Sequence, residues 1–458
     1  MQRIGLVFTW ALWLSWLGTA PQLSAQDNYT PQAPLAKLEL QDGDSIVFLG
    51  DSITHQCLYT QYVEDYFYTR YPHMRLKLHN AGVGGARAWD ALQRFDDDVA
   101  AYKPKYVTIL LGMNDGTYRP YDDPTYQTYQ SDMTTLLDQL DGIGAKPIPM
   151  TPTMFDARAA RLFPRGNRPP ESIALYNSVL TYYGTWLREV AAERGYGFVD
   201  MWGPLNNITF EQRKIDPAFT MIKDAVHPEA DGQLVMATAI INDLGLSRQV
   251  SAIRISKGAN GWMGKGTGGE LSEVTATDSG ISFTFHATAL PWVVPEAAQR
   301  GVELTKLGHR LSKETVEIHG LPAGRYTLLI DGDEVGTYGH EALARHIELQ
   351  GNNKTPQYQQ ALAVAHLNEQ RNSGPVRSLR GEWGRFQGFA RERRNAEQNP
   401  DHADLQEKFK KLAAGIEGIA DRVAQHNAAA KEIEDQIFTK NQPQVHRYEL
   451  RRVQPAAK

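Results

Sequence analysis

The sequence contains a single cysteine, Cys57, among 458 residues. An internal disulfide is therefore impossible, and a metal site built from several cysteines is excluded. Neither sign of charge is in large excess, because 48 Lys and Arg face 53 Asp and Glu, which gives a formal net charge of −5 at pH 7. So small a net charge on a long chain argues against nucleic acid as a partner.

Long apolar runs are absent after the amino terminus. There, Arg3 precedes an apolar run over residues 4–17, and Ser24-Ala25 supplies small residues for cleavage. This pattern predicts a secretory signal peptide over residues 1–25. The apolar run is shorter than the about 20 residues that a membrane-spanning helix needs. We therefore expect a secreted or periplasmic, extracytoplasmic protein without a stable membrane span.

A chain of this length predicts two or three folding units. Between about residues 44 and 246, short apolar segments alternate with helical segments. The strands are predicted at 45–49, 76–79, 106–111, 146–150 and 197–199, and the helices at 59–71, 89–101, 128–140 and 172–194. This alternation predicts an α/β fold with a parallel sheet and helices on both of its faces. Such sheets bind ligands beyond the carboxyl ends of their strands, so we expect the functional site there.

The pattern changes after Ser247. Apolar residues then occur at alternate positions, as in ISFTF at 281–285, and Asp331-Gly332 is a tight-turn signal between two such runs. These features predict a β-rich accessory module. The predicted division of the chain is a signal peptide (1–25), an α/β domain (36–247), the β-rich module (250–350) and a helical region (355–445).

The helical region carries a long apolar stripe. Its members recur at alternating spacings of four and three residues, which is typical of helices that pack on other helices. They are Leu405, Phe409, Leu412, Ile416, Ile419, Val423, His426, Ala430, Ile433 and Ile437. An upstream helix with Leu379, Trp383 and Phe386 offers a packing partner. Two interpretations are open: an antiparallel helical hairpin packed on its own chain, and a surface for homo-oligomerisation.

Four short blocks place reactive or hydrogen-bonding residues after predicted strands or before a helix of the α/β domain. Ser52 lies in GDSIT after the first strand, Gly85 ends NAGVGG after the second, and Asn114 lies in GMND after the third. Asp224 and His227 lie in DAVHP, just before a helix. Each block alone is also explained by a turn or by a surface Asp/His pair. Together they are expected at one edge of one sheet.

These residue types in one pocket would hydrolyse an ester. A serine needs a base to become a nucleophile, and an imidazole oriented by a carboxylate is such a base. The oxyanion that forms during the reaction needs hydrogen-bond donors, each worth about 3 kcal/mol. Glycine lets backbone N–H groups approach closely, and an asparagine amide is a second kind of donor.

The four blocks resemble those of the SGNH hydrolases, also called the GDSL-like esterase/lipase family. The resemblance covers under half of the chain and implies a three-layer α/β/α, flavodoxin-like fold with serine esterase activity. It also implies Ser52 as nucleophile, His227 as base and Asp224 as the partner of the base. The implied oxyanion donors are the N–H groups of Ser52 and Gly85 and the side-chain amide of Asn114.

Two positions depart from the family pattern. Gly84 stands where a serine is common, and Arg87 stands where a threonine is common, so the preferred acyl group does not follow from the resemblance. His55, His79 and Asp51 are candidate metal ligands, but two histidines without a third ligand at a known spacing favour structural or substrate-contacting roles. We therefore expect neither a metal nor a cofactor.

The resemblance leaves the substrate open, because acylated sugars, lipids, thioesters and aryl esters all occur in the family. Secretion and nearby aromatic residues favour a carbohydrate carrying O-acetyl groups, since aromatic faces stack on sugar rings. These aromatic residues are Trp89, Tyr118, Tyr121 and Tyr126. The alternatives are a lipase or an aryl- or thioesterase acting on an acylated small molecule, and a non-catalytic carbohydrate-binding or assembly protein.

Overall fold

Four parallel strands form the central sheet of the α/β domain, in the order β2-β1-β3-β4. They are β1 (Ser45–Gly50), β2 (Lys77–Gly82), β3 (Tyr106–Leu110) and β4 (Lys146–Pro149). This computed structural model describes residues 31–164, 167–277 and 279–454, so the predicted signal peptide lies outside the described residues. Because β2 and β3 lie on opposite sides of β1, a crevice opens beyond the carboxyl ends of β1 and β3.

The strands are buried on both faces. Ile46 and Phe48 of β1 belong to one hydrophobic cluster, whereas Val47 and Leu49 belong to the cluster on the other face. Successive side chains of a strand point to opposite faces, so a continuous apolar run places the strand between two helical layers. The predicted α/β fold is confirmed.

Among the described residues, nine α-helices accompany this sheet. They are α1 (Ser52–His55), α2 (Leu58–Arg70), α3 (Ala88–Gln93), α4 (Phe95–Asp98), α5 (Asp123–Gly142), α6 (Ala157–Leu162), α7 (Pro170–Arg194), α8 (Trp202–Arg213) and α9 (Ala230–Asp243). The sequence pattern gave no indication of α6 or α8. The segment predicted as a fifth strand, 197–199, forms a single parallel bridge between Met150 and Val199 instead of a ladder.

Two further sheets form the β-rich module. The five-stranded sheet has the order β11-β10-β13-β8-β7, and the four-stranded sheet has the order β12-β9-β5-β6. Their strands are β5 (Gln249–Gly258), β6 (Gly261–Thr267), β7 (Gly269–Thr277), β8 (Gly280–Ala287), β9 (Lys313–His319), β10 (Arg325–Ile330), β11 (Asp333–Gly339), β12 (Ile347–Glu348) and β13 (Val445–Arg452). Short helices join some of these strands: α10 (Gln299–Thr305), α11 (Leu307–Leu311) and α12 (His340–Arg345).

One predicted feature of this module is present in the structure, and one of its strands was not predicted. The expected tight turn joins β10 to β11, where Asp331 and Gly332 adopt φ values of +53° and +96°. Strand β13, by contrast, was not assigned to the module. It lies between β8 and β10 and pairs antiparallel with both.

The helical region packs on the α/β domain of its own chain. It consists of α13 (Pro356–Arg371), α14 (Arg377–Gln398), α15 (Ala403–Gly415) and α16 (Ile419–Lys440). Leu379 and Trp383 of α14 are buried in the hydrophobic cluster that also contains Val47 and Leu49. The apolar stripe is interrupted, because Gly418 has φ +68° and separates α15 from α16.

Buried ion pairs join the helical region to the α/β domain. Arg380 of α14 donates two hydrogen bonds to Asp98 of α4, at 2.8 and 2.7 Å, and neither side chain is exposed. Arg371 of α13 pairs with Glu64 of α2 at 3.2 Å. Although burial opposes ionisation, Arg380 and its neighbours hold the pKa of Asp98 well below its usual range.

Within the described part of the chain, no helix combines the length and the apolar character that crossing a membrane requires.

Candidate active site

Ser52, His227 and Asp224 lie together at the carboxyl edge of the sheet. Ser52 is the first residue of α1, directly beyond β1, and Asp51 caps this helix by accepting the N–H of Ile53 at 2.9 Å. His227 Nε2 is 2.8 Å from Ser52 Oγ, and His227 Nδ1 is 2.7 Å from Asp224 Oδ2. The fold therefore brings a hydroxyl, an imidazole and a carboxylate into one hydrogen-bonded series across 175 positions of the chain.

The loop that carries His227 is held by the aspartate itself. Asp224 Oδ1 accepts the N–H of Val226 at 3.0 Å and the N–H of His227 at 2.7 Å. Ala225, which lies between Asp224 and Val226, has φ +74°, a conformation that is uncommon for a residue with a side chain. One carboxylate thus fixes both the backbone and the ring of His227.

Electrostatics keep Asp224 ionised. Burial raises its pKa, but hydrogen bonds from the His227 ring and from the N–H groups of His227 and Val226 outweigh burial and hold the pKa well below its usual range. A carboxylate can only accept, so the Nδ1 of His227 carries the proton toward Asp224. Nε2 is then free to accept the hydroxyl proton of Ser52.

Two backbone N–H groups near the site make no hydrogen bond within the described residues. Within the described residues, neither the N–H of Ser52 nor that of Gly85 has a hydrogen-bond acceptor. Gly85 has φ +69°, which glycine adopts without steric cost. Unpaired N–H groups at a helix start and in a glycine turn are suited to binding a negatively charged oxygen.

Asn114 lies half-buried beyond β3 and is held by three groups. Its Nδ2 donates to Ala86 O at 3.1 Å and lies 3.4 Å from Asp51 Oδ2. Its Oδ1 accepts the hydroxyl of Tyr118 at 3.1 Å. Because Oδ1 is engaged in this way, the amide nitrogen stays on the side of the loop that contains Ala86.

Two buried carboxyl groups support these loops. Asp115 accepts the N–H groups of Ala88 and Gly112 at 2.8 and 2.9 Å, which ties the loop after β3 to α3. Burial raises the pKa of Asp51 to about 7 and the pKa of Asp115 to about 7. Both groups therefore exchange protons near neutral pH, beside the residues of the site.

Contacts with other protein groups occupy His79 and His55, the two histidines that were considered as metal ligands. His79 is buried in β2, where its Nε2 lies 3.0 Å from Asp98 Oδ1 and its ring stacks on Tyr102. His55 Nδ1 accepts the N–H of Gly84 at 3.1 Å. Burial lowers the pKa of each histidine to about 4. The described residues contain no group of three or more His, Cys, Asp or Glu placed to bind a metal ion.

Arg168 is a residue of this site that the sequence analysis did not identify. Its guanidinium lies 5.7 Å from the ring centre of Tyr118, and its Nη1 donates to Asp224 O at 3.3 Å. It lies in an irregular segment before α7, in no recognisable motif. A single basic residue in an irregular segment gives no indication of a function in one sequence.

A polar cavity adjoins the glycine turn. It has a volume of about 510 Å³ and lies between α3, α5 and α14. Its lining includes Arg87, Trp89, Thr117 and Asp132. Trp89 is half-buried, and Arg394 of α14 covers its ring at 4.7 Å. Of the aromatic residues noted in the sequence, Trp89 is the one that lines this cavity, whereas Tyr118 packs within the site.

A parallel α/β sheet with a serine, a histidine and an aspartate in series at its carboxyl edge is the arrangement of a hydrolase that uses a serine nucleophile. Residues 48–235 match the GDSL-like Lipase/Acylhydrolase family. The α/β domain is therefore of the SGNH/GDSL hydrolase type, and the protein is an ester hydrolase.

Individual relatives cover different parts of the chain. An acetylxylan esterase of Geobacillus stearothermophilus is 25% identical over an alignment of 231 residues, and the match covers 45% of this chain and 97% of the relative. An uncharacterised lipoprotein of Bacillus subtilis is 36% identical over 78 residues, 17% of this chain and 32% of the relative. The solved structure of a gut microbial diltiazem-metabolizing enzyme superposes with a TM-score of 0.77 at 26% identity, and the match covers 92% of this chain and 100% of that one. The last similarity therefore includes the β-rich module and the helical region.

Proposed function

We propose that this protein hydrolyses O-acetyl esters of carbohydrates with Ser52 as nucleophile, His227 as base and Asp224 as the residue that orients the base. The observation that carries the proposal is the series of two short contacts, 2.8 Å from Ser52 Oγ to His227 Nε2 and 2.7 Å from His227 Nδ1 to Asp224 Oδ2. A serine that donates to an oriented, neutral imidazole is activated for attack.

In the proposed reaction, Ser52 Oγ bonds to the carbonyl carbon of the ester while its proton passes to His227 Nε2. The carbonyl oxygen becomes an oxyanion, which accepts the N–H groups of Ser52 and Gly85 and the amide of Asn114. The carbon–oxygen bond to the alcohol then breaks, and the alcohol leaves with the proton from His227. Water attacks the acyl-serine by the same route and releases acetate.

An acetylated carbohydrate is supported as the substrate by two observations. The acetylxylan esterase aligns over 97% of its own length and over 45% of this chain. The cavity beside the glycine turn combines an aromatic ring, Trp89, with hydroxyl and charged side chains, which is the lining that a sugar with many hydroxyl groups needs. An extracytoplasmic location agrees with such a substrate and with the apolar segment 4–17.

A small-molecule ester is the second candidate. The diltiazem-metabolizing enzyme is similar over 92% of this chain, a larger share than the acetylxylan esterase covers. The two candidates differ in the alcohol that leaves, not in the chemistry of the nucleophile.

The decisive experiment measures the carboxylic acid that is released from each of four esters: acetylated xylo-oligosaccharides, p-nitrophenyl acetate, a long-chain acyl ester and diltiazem. The wild type is expected to have its highest kcat/KM on the acetylated oligosaccharide, and Ser52→Ala to lose activity on all of them by a factor on the order of 10⁵. Ser131→Ala, an exposed serine on α5, is the matched control and should keep the wild-type rate. A preference for the long acyl chain would identify a lipase instead.

A serine-directed fluorophosphonate separates this enzyme from a non-catalytic binding protein. Covalent labelling of the wild type and the Ser131→Ala variant, but not of Ser52→Ala, is the expected result. If Ser52→Ala hydrolysed p-nitrophenyl acetate at the wild-type rate, Ser52 would not be the nucleophile.

A further inference from the structure

Helix α14 lies far outside the residues that match the family, yet it reaches the turn that contains Gly85. Gln387 Nε2 donates to Gly84 O at 2.9 Å. Arg391 Nη2 donates to Gly85 O at 2.7 Å. Two consecutive carbonyl groups of the turn are thus bound by one face of one helix.

The first of these bonds bears on the direction of the Gly85 N–H. The carbonyl of Gly84 and the N–H of Gly85 belong to the same planar, trans peptide unit, so they point in opposite directions. When Gln387 binds the carbonyl from the α14 side, the N–H is directed away from α14. A Gly-Gly peptide has little intrinsic preference for one orientation, because glycine tolerates positive and negative φ alike.

The rest of the turn is held as well, which leaves this one donor unused. The N–H of Gly84 binds His55 Nδ1 at 3.1 Å, and the N–H of Ala86 binds Val83 O at 3.1 Å. Of the N–H groups of Gly84, Gly85 and Ala86, the one of Gly85 has no hydrogen-bond acceptor within the described chain. A fully anchored turn with a single unpaired donor is the arrangement that a preorganised anion site requires.

Arg391 is itself fixed by a buried partner. Its Nε and Nη2 donate to the two carboxylate oxygens of Asp90, at 2.8 and 2.7 Å. Asp90 Oδ2 also accepts the N–H of Arg87 at 2.8 Å. The guanidinium therefore ties Gly85 O to the start of α3, and a paired guanidinium of this kind has a restricted set of orientations.

We propose that Gln387 and Arg391 are positioning residues for the oxyanion, and that α14 is a working part of the active site. The inference rests on the proposed function, since it concerns the oxyanion donor of that reaction. Gln387 sets the orientation of the 84–85 peptide, and Arg391 fixes the next peptide along the chain. Hydrogen bonds to both carbonyl groups also polarise the peptides and make their N–H groups stronger donors.

Gln387→Met is the sharpest test of this proposal. Methionine keeps the length and apolar volume of the side chain but removes the hydrogen-bond donor. Gln387 Oε1 is buried and accepts no hydrogen bond within the described residues, so its removal leaves no group of the helix without a partner. We expect kcat on p-nitrophenyl acetate to fall by about 10- to 100-fold, somewhat less than the loss of an oxyanion donor itself, while KM changes less than about threefold. Thermal unfolding should stay close to that of the wild type.

Arg391 gives a second and independent pair of variants. Arg391→Ala should lower kcat in the same way, and Arg391→Lys should recover part of the loss because a lysine ammonium still donates to Gly85 O or Asp90. Arg393→Ala is the matched control, since Arg393 lies on the same helix and contacts Gln93 of α3 at 3.1 Å without touching the turn. It should keep the wild-type kcat.

The possible outcomes separate this inference from the proposed function. If Ser52→Ala is inactive while Gln387→Met and Arg391→Ala both keep the wild-type kcat, α14 does not position the oxyanion donor. An equal loss of kcat in Arg393→Ala would assign the effect to docking of α14 and also overturn the inference. Full activity of Ser52→Ala would instead remove the proposed function itself.

Discussion

His227 and Asp224 are joined twice: Asp224 Oδ2 is 2.7 Å from the ring Nδ1, and Asp224 Oδ1 accepts the backbone N–H of the same histidine at 2.7 Å. The first contact selects the tautomer of the ring, and the second fixes the turn from which the ring projects. Replacement of the carboxylate therefore affects two properties of the histidine, while replacement of the histidine removes the proposed base.

The first prediction compares these two residues. His227→Ala should lower kcat on p-nitrophenyl acetate by a factor on the order of 10⁵ to 10⁶, because it removes the imidazole that contacts the Ser52 hydroxyl. Asp224→Asn should lower kcat by a factor on the order of 10⁴, since a base remains but its favoured tautomer changes. Steady-state kinetics at pH 8 measure both. A milder loss in His227→Ala than in Asp224→Asn would show that their roles are assigned wrongly.

The second prediction concerns the stability of the protein as a function of pH. Burial raises the pKa of Asp51 from 3.8 to about 7. Between those values the folded protein binds a proton at this position that the unfolded chain has already released, so stability falls as the pH rises from about 4 to about 7. Asp51→Asn cannot ionise, and its melting temperature relative to the wild type should therefore increase across this interval. Calorimetry at pH 4, 5.5 and 7 tests the sign, and a constant difference would contradict the raised pKa.

The third prediction addresses the buried ion pair between α14 and α4. Arg380→Ala leaves Asp98 buried with fewer partners, which should lower the free energy of unfolding by about 3–5 kcal/mol. Arg385→Ala is the matched control on the same helix. Its partner Glu382 is 2.5 Å away, but Arg385 is 59% exposed, so a change within about 0.5 kcal/mol is expected. Urea unfolding followed by circular dichroism compares the two, and similar losses in both variants would argue against a special role for the Asp98 cluster.

The fourth prediction tests the proposed sugar-binding cavity that contains Trp89. Trp89→Ala should raise KM for an acetylated xylo-oligosaccharide by about fivefold, which corresponds to an aromatic contact of about 1 kcal/mol. The effect on p-nitrophenyl acetate should be smaller, because that substrate is too short to fill the cavity. Trp262→Ala in β6 is the control. If it, and not Trp89→Ala, weakens binding of the oligosaccharide, the β-rich module binds the sugar.

The central sheet could be predicted because burial on both faces leaves a strong mark in the sequence. The runs SIVFL and YVTILL are continuous and apolar, and both form ladder strands. Strand β13 leaves a weaker mark. Its buried residues His446, Tyr448 and Leu450 alternate with charged residues. The segment directly follows the predicted helical region and is far in sequence from the predicted β-rich module, so its alternation alone did not indicate a strand of that module.

The residues of the four sequence blocks lie close together in the structure, because each block follows a strand of the same parallel sheet or leads into the helix beside it. The support from α14 had no such signal. Gln387 and Gly84 are separated by 303 positions, and Arg391 and Gly85 by 306. A glutamine and an arginine on a charged helix are ordinary surface residues until the fold shows what they touch.

The position of β13 between β8 and β10 has a consequence for how the protein can be divided. The chain passes from the β-rich module into four helices that pack on the α/β domain, and then returns to the middle of the five-stranded sheet. Excising the helices together with β13 would leave β8 and β10 each with a row of open backbone hydrogen-bonding groups, and exposed rows of this kind recruit other chains. The α/β domain, the β-rich module and the helical region therefore do not follow one another as separable units along the chain. A shortened esterase that ends at residue 247 would lose α14 as well as the β-rich module.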